Sequence, residues 1–135
     1  MYTFSTQVRV RYAETDRMGY VYYGNYSMYF EIARVEMLRS LGISYKEWED
    51  KGVMLPVVNY EVNYKKPAFY DDLLTIKVKL SSLPSSKIYF EYEVINEKGD
   101  LLSTANTTLV FVNTETKRPT KPPQDFMDIL APHFN

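Results

Sequence analysis

The chain of 135 residues contains no cysteine and only one histidine. Without cysteine it can form no disulfide bond, no thiolate nucleophile and no thiolate metal ligand. The histidine, His133, lies in the C-terminal tail, where chains are usually mobile. A serine–histidine hydrolase site is therefore poorly supported, and no metal site is predicted.

Glycine is also scarce, and no long apolar run is present. The five glycines are scattered, so no glycine-rich phosphate loop exists. A formal net charge of −1 argues against a nucleic-acid partner, which needs a basic face. No apolar run approaches the roughly 20 residues needed to span a bilayer, and the first residues lack signal-peptide features. We expect one soluble, cytoplasmic domain over residues 1–135 with no membrane span.

One long helix is predicted from Tyr26 onward. Asn25 is a plausible N-cap, and Gly42 lies where the helix should stop. Apolar residues recur at the helical period of three and four, at Tyr29, Phe30, Ala33, Met37 and Leu41. Further apolar residues occupy its other faces, which indicates a buried helix.

The charges on this helix are spaced for local ion pairs. Glu31 precedes Arg34 by three residues, and Glu36 precedes Arg39 by three. Residues at this spacing are neighbours on a helix surface. We therefore expect two ion pairs, of which the one formed by Glu31 supports the preceding loop.

Alternation of apolar and polar residues predicts about five strands. The alternating runs are 8–12, 58–65, 74–81, 88–94 and, less regularly, 101–112. Their connections are short and rich in turn residues, so the strands should be antiparallel. Ser44 and Gly52 bound a predicted short helix, and another is possible around Phe126–Leu130. The expected fold class is α+β, with a long helix against a curved antiparallel sheet.

The loop before the long helix holds the best catalytic candidate, Asp16. As a turn former, it would only stabilise the loop through its own backbone. As a general base or nucleophile, it would face the positive end of the helix, where free N–H groups can stabilise an oxyanion. Glu14 lies two residues earlier, and continued strand alternation would put both carboxylates on the same side. Spacing alone does not choose between them.

Three motifs resemble those of a known family, the hotdog-fold acyl-CoA thioesterases of the 4-hydroxybenzoyl-CoA thioesterase type. They are Tyr12-x-Glu14-Thr15-Asp16-x-x-Gly19-x-Val21-Tyr22-Tyr23-x-Asn25-Tyr26, Glu31-x-Ala33-Arg34-x-Glu36 and Tyr64-x-x-Pro67-Ala68-x-Tyr70-Asp71-Asp72. The resemblance covers nearly the whole chain at matching spacing. It implies the hotdog fold and a homodimer or homotetramer with active sites between subunits.

The resemblance also implies a mechanism for hydrolysing a thioester to a carboxylic acid and free CoA. Asp16 is the implied catalytic carboxylate, and a backbone N–H at the helix start, that of Tyr23 with Gly24 beside it, polarises the carbonyl. Part of the family has a histidine where this chain has Tyr23, so a carboxylate-centred mechanism is favoured here. CoA enters as part of the substrate, and no cofactor is implied.

The resemblance also suggests residues for substrate binding. The implied acyl pocket could be lined by Met18, Tyr20, Val21 and Tyr26, with Glu31 as a further matched position. Lys87 resembles the position where some relatives place basic residues near the CoA phosphates, although a surface lysine is usually only solvated.

Two other functions remain open at this point. A hydratase or dehydratase on the same fold would usually pair the carboxylate with a histidine, which this chain lacks outside its tail. A non-catalytic acyl-binding module would keep the groove without the chemistry. The acyl group, and the choice between CoA and an acyl-carrier protein, are left undetermined by the sequence.

Overall fold

Ten regular elements make up the computed structural model, which describes residues 1–134. The strands are β1 (Tyr2–Arg9), β2 (Val53–Met54), β3 (Val57–Tyr64), β4 (Leu73–Leu80), β5 (Lys87–Ile95), β6 (Leu101–Val110) and β7 (Val112–Asn113). The helices are α1 (Tyr26–Ser40), α2 (Tyr45–Asp50) and α3 (Gln124–Leu130), with 3₁₀ turns at Tyr12–Glu14, Tyr23–Asn25 and Ala131–Phe134.

Five strands form one antiparallel sheet in the order β1-β4-β5-β6-β3. Short connections, residues 81–86 and 96–100, join β4 to β5 and β5 to β6, as predicted. Along β4 every second side chain is fully buried, at Leu74, Ile76, Val78 and Leu80. The α+β prediction, with a long helix and about five strands, is confirmed.

Helix α1 packs against β1 and β4 through its buried face. The buried residues are Tyr26, Tyr29, Phe30, Ala33, Met37 and Leu38. The expectation of burial all round is wrong for this chain, because Met28 is 39% exposed and Glu31 is exposed as well. The predicted end is confirmed by Gly42, whose φ of +79° is a conformation that glycine adopts readily. Within residues 1–134, no helix has both the length and the apolarity to cross a membrane.

Two predicted details at the start of the chain are wrong. Strand β1 ends at Arg9, so Tyr12 is not a half-buried strand residue but an exposed one in a 3₁₀ turn. Asn25 precedes α1, yet its side chain caps no helix N–H. Its amide instead donates to the carbonyl oxygen of Glu14 at 2.9 Å, which ties the helix start to the loop.

Of the two expected ion pairs on α1, only the one between Arg39 and Glu36 is formed. Arg34 instead donates to the hydroxyl of Tyr92 at 3.0 Å. No ion pair within 4.0 Å involves Glu31 in the described part of the chain. The supporting role expected for that pair is therefore not found.

The remaining elements close one end of the core. Ser44 caps α2 by accepting from the N–H of Glu47 at 3.3 Å, as predicted. The ring of Trp48 lies 5.1 Å from that of Phe126 in α3. The short β2–β7 pair was not predicted, because two residues are too few to show an alternating pattern.

Candidate active site

The loop between β1 and α1 is fixed at both ends by backbone hydrogen bonds. Thr15 and Val21 form an isolated antiparallel bridge, and the N–H of Asp16 donates to the carbonyl of Tyr20 at 2.8 Å. Gly19 turns the chain with a φ of +81°, a conformation that strains most other residues. The N–H of Val21 donates to the carbonyl of Ala68 at 2.8 Å, which anchors the loop to the turn after β3.

The carboxylate of Asp16 uses one oxygen to build this loop. Its Oδ1 accepts from the N–H of Met18 at 2.9 Å and from the N–H of Tyr20 at 3.2 Å. This is the turn-forming role that the sequence allowed. Within residues 1–134 no hydrogen bond reaches Oδ2. The turn therefore fixes the carboxylate while one oxygen stays available.

Glu14 faces the core. It is only 9% exposed, and its Oε1 accepts from the hydroxyl of Tyr29 at 2.7 Å and from the N–H of Arg11 at 3.0 Å. The expectation that strand alternation would put Glu14 and Asp16 on one side is wrong, because the 3₁₀ turn intervenes. Burial, followed by the hydrogen bond to Glu14, raises the pKa of Tyr29 far above its usual value.

A cavity of about 270 Å³ opens beside Asp16. It brings together six residues that the sequence assigned to catalysis or substrate binding: Asp16, Met18, Tyr20, Val21, Tyr23 and Tyr26. Burial raises the pKa of Tyr26 to about 12, in keeping with an apolar wall. The cavity thus combines a carboxylate with space for an apolar group.

The helix start offers unused donors beside this cavity. In residues 1–134, nothing accepts a hydrogen bond from the backbone N–H of Tyr23 or of Gly24. The first N–H groups of a helix lack partners inside the helix and carry its positive end. Gly24 itself is covered by an aromatic ring, since a Cβ there would lie 2.7 Å from a ring carbon of Tyr22.

Two predicted substrate residues lie elsewhere in the single chain. Glu31 lines a different cavity of about 310 Å³, between α1 and β3, together with Arg34, Val57 and Tyr60. Lys87 is the exposed first residue of β5 and does not line the Asp16 cavity. Their predicted roles remain predictions.

Sequence reasoning missed the opposite wall of the Asp16 cavity. That wall is built by the end of β3 and the residues after it, Tyr64, Lys65, Lys66 and Pro67. The hydroxyl of Tyr64 donates to the carbonyl of Tyr23 at 3.3 Å, joining the two walls. The signal was present in the Tyr64-x-x-Pro67 motif, which the sequence alone could not place against the loop.

Comparisons with known proteins agree on one family. A family model described as the thioesterase-like superfamily matches residues 10–130. The acyl-CoA thioester hydrolase YbgC of Escherichia coli is 32% identical over 124 residues, 92% of each chain. The acyl-CoA thioesterase YbgC of Haemophilus influenzae is 31% identical over 123 residues, 90% of each chain.

A solved structure extends the likeness to three dimensions. The crystal structure of a DHNA-CoA thioesterase from Staphylococcus aureus superimposes with a TM-score of 0.93 at 34% identity, covering 98% of this chain and 91% of that one. The hotdog fold that the motifs implied is thereby confirmed.

Proposed function

The chain belongs to the thioesterase-like superfamily, and on this premise we propose that it hydrolyses acyl-CoA thioesters with Asp16 as the catalytic carboxylate. The names of its relatives support thioester hydrolysis. The observation that carries the assignment to Asp16 is the shared cavity. Asp16 and Tyr23 line the same space, one with an available carboxylate oxygen and the other with an unused N–H group.

The proposed chemistry begins at the thioester carbonyl. Oδ2 of Asp16 takes a proton from a water molecule, whose oxygen attacks the carbonyl carbon. The carbonyl oxygen becomes an oxyanion and accepts from the N–H of Tyr23 or Gly24. When the intermediate collapses, the carbon–sulfur bond breaks, and the thiolate leaves and takes the proton from Asp16. The products are a carboxylic acid and free CoA.

Direct attack by Asp16 is the other version of the same chemistry. Oδ2 would bond to the acyl carbon and expel the thiolate; water would then hydrolyse the mixed anhydride to the acid and protonated Asp16, which passes its proton to the thiolate. Thiols are far more acidic than alcohols, with a pKa of about 8.5 for cysteine, so a thiolate leaves without a strong general acid and either version works with one carboxylate. Neither version requires a cofactor.

The turn around Asp16 favours this role. Two backbone N–H groups hold Oδ1, which restricts the carboxylate to one orientation before substrate arrives. A catalytic group held in place by its surroundings loses little freedom in the transition state. The turn-forming and catalytic roles therefore support each other.

Met18, Val21 and Tyr26 are proposed to contact the acyl group, because they line the Asp16 cavity. The 4-hydroxybenzoyl type stays a prediction, as does a cytoplasmic location.

A homodimer is proposed through the edge of the sheet formed by β3. Most of this strand is exposed in the single chain, including Val57 at 47%, Val58 at 57% and Tyr60 at 41%. An exposed apolar edge strand tends to pair with another chain. Antiparallel pairing of two β3 edges would also cover the cavity beside Glu31, which Val57 and Tyr60 line. A homotetramer made of two such dimers stays a prediction.

The competing functions find less support. A hydratase or dehydratase would need a histidine near Asp16, but His133 stacks on Tyr2 with ring centroids 5.0 Å apart and does not line the cavity. An acyl-binding module without activity is the outcome that the experiment must separate from an enzyme.

The experiment is release of free thiol from a panel of aliphatic and aromatic acyl-CoAs. We expect turnover by the wild-type protein and its loss in Asp16→Asn, with Arg17→Gln as a control at the exposed neighbouring residue. Binding of acyl-CoA without thiol release in the wild-type protein would instead establish the non-catalytic module.

A further inference from the structure

We propose that Lys65 and Lys66 bind the phosphate of the phosphopantetheine arm that carries the acyl group. This assignment rests on the proposed function, because it takes the thioester to occupy the Asp16 cavity. Both lysines line that cavity on the wall across from the catalytic loop. The shared chemistry is a phosphate on a pantetheine arm, whether the carrier is CoA or an acyl-carrier protein.

The backbone explains why two consecutive lysines flank one cavity. In a regular strand, successive side chains point to opposite faces. Here the N–H groups of Lys65 and Lys66 both donate to the carbonyl of Leu102, at 2.8 and 3.0 Å. Two residues opposing one partner is the arrangement of a β-bulge, which re-aims side chains and often occurs beside active sites. The local geometry thus brings two cations to one site.

Both charges remain available to a ligand. Nζ of Lys66 lies 3.8 Å from Oδ2 of Asp100, and these side chains are 61% and 42% exposed. An exposed pair at that distance is weak. Lys65 has no carboxylate within 4.0 Å among residues 1–134. A phosphate that binds at the opening of the Asp16 cavity would therefore displace at most one weak ion pair, that between Lys66 and Asp100.

The placement also fits the direction of the substrate. Asp16 repels a phosphate, so the anionic end of the carrier should lie at the other wall while the thioester reaches Asp16. Tyr64 connects the lysines to the helix start, since its hydroxyl donates to the carbonyl of Tyr23 at 3.3 Å. Long flexible lysine stems let both ammonium groups follow a phosphate outside the cavity. The acyl end and the phosphate end thus have separate partners.

The test compares the double variant Lys65→Gln/Lys66→Gln with wild type on three substrates that carry the same acyl group: acyl-CoA, acyl-phosphopantetheine and acyl-pantetheine. The matched control, Lys46→Gln/Lys51→Gln, removes the same two charges from exposed positions on and just after α2. We expect KM for the two phosphate-bearing substrates to rise about tenfold with kcat nearly unchanged. Hydrolysis of acyl-pantetheine, which lacks the phosphate, should not change, and the control should match wild type.

Three results would overturn the assignment. These are no change on any substrate, an equal loss on acyl-pantetheine, and a loss on acyl-CoA alone, which would place the lysines against the nucleotide instead. The wild-type preference between acyl-CoA and the same acyl group on an acyl-carrier protein identifies which carrier supplies the phosphate.

A binding measurement keeps this proposal separate from the proposed function. Calorimetric titration of free CoA into wild type and the double variant needs no turnover. Suppose that the wild-type protein hydrolyses no substrate but binds CoA about tenfold more tightly than the variant does. This result would disprove the proposed thioesterase activity and support phosphate binding by the two lysines. Equal affinities of wild type and variant for CoA would overturn the assignment of phosphate binding to the lysines, whatever the activity proves to be.

Discussion

The hydroxyl of Tyr29 donates to Oε1 of Glu14 at 2.7 Å, joining the first turn of α1 to the loop that carries Asp16. The backbone of Glu14 adds two further ties, since its carbonyl accepts from the N–H of Tyr22 and from the side chain of Asn25, both at 2.9 Å. Glu14 is therefore the residue that fixes the loop relative to the helix start. The two carboxylates of the motif thus have different positions: Glu14 holds the loop, and Asp16 faces the cavity.

Tyr29→Phe should lower the free energy of unfolding by about 2 kcal/mol, because a buried carboxylate loses one of its two donors. Urea denaturation at neutral pH measures the effect. Tyr12→Phe is the control, since Tyr12 is 77% exposed and should tolerate the loss of its hydroxyl. Equal stability of Tyr29→Phe and wild type would mean that the Glu14 contact contributes nothing.

The raised pKa of Tyr29 predicts a loss of stability at alkaline pH. Because the folded protein holds the Tyr29 proton more tightly than the unfolded chain, the stabilisation is complete below the unfolded pKa of about 10 and is lost as pH rises above it. From pH 10 to 11, wild type should lose about 1 kcal/mol more than Tyr29→Phe, a slope that approaches about 1.4 kcal/mol per pH unit at higher pH. Urea denaturation from pH 8 to about 11 measures both slopes. Parallel curves would contradict the prediction.

The fold could be predicted from sequence because its signals are local and periodic. Alternation placed the four later strands, and Gly42 marked the end of α1. The start of the chain was harder, since the 3₁₀ turn at Tyr12–Glu14 interrupts the strand pattern without a strong local signal.

The candidate site was predictable only on the loop side. Asp16, Tyr23 and their apolar neighbours are contiguous in sequence, so one motif contained them. Lys65 and Lys66 directly follow β3 and reach the cavity only through the long-range pairing of this part of the chain with β6. The missing ion pair of Glu31 has the same origin, because Tyr92 on a distant strand binds Arg34 instead.

The edge of β3 should control assembly. We expect light scattering at micromolar concentration to give the wild-type protein at least twice the mass of one chain. Val58→Lys should shift the protein toward monomer, because a lysine on an exposed edge disfavours strand pairing. Leu83→Lys, at an exposed residue in the turn after β4, should leave the mass unchanged. A dimer that survives Val58→Lys would rule out pairing through this part of the edge.

The backbone donor at the helix start can be removed by proline. Tyr22 has φ −59° and ψ 132°, a conformation that suits a residue before proline. Tyr23→Ala and Tyr23→Pro both remove the aromatic ring, but only proline removes the N–H group. Tyr23→Pro should therefore reduce kcat by roughly 10²-fold relative to Tyr23→Ala. Tyr23→Phe should retain most activity, and a large loss there would assign the chemistry to the hydroxyl.

Asp16→Asn and Asp16→Ala separate the turn-forming role of this side chain from its proposed catalytic role. Asparagine keeps an oxygen that can accept from Met18 and Tyr20, so the turn should remain, but it cannot act as a base. Alanine removes both functions. We expect kcat to fall by at least roughly 10²-fold in both variants, with little change in KM. Stability should drop by about 1 kcal/mol in Asp16→Ala alone.

A purely structural Asp16 would give the opposite pattern. Asp16→Asn would then turn over at nearly the wild-type rate, and Asp16→Ala would lose stability but not activity per folded molecule. Glu14→Gln provides the contrast within the same loop, since its buried side chain contacts Tyr29 and not the cavity. We expect it to lower stability more than Asp16→Asn does and to lower kcat less. If Glu14→Gln instead abolishes turnover in folded protein while Asp16→Asn does not, Glu14 is the catalytic carboxylate.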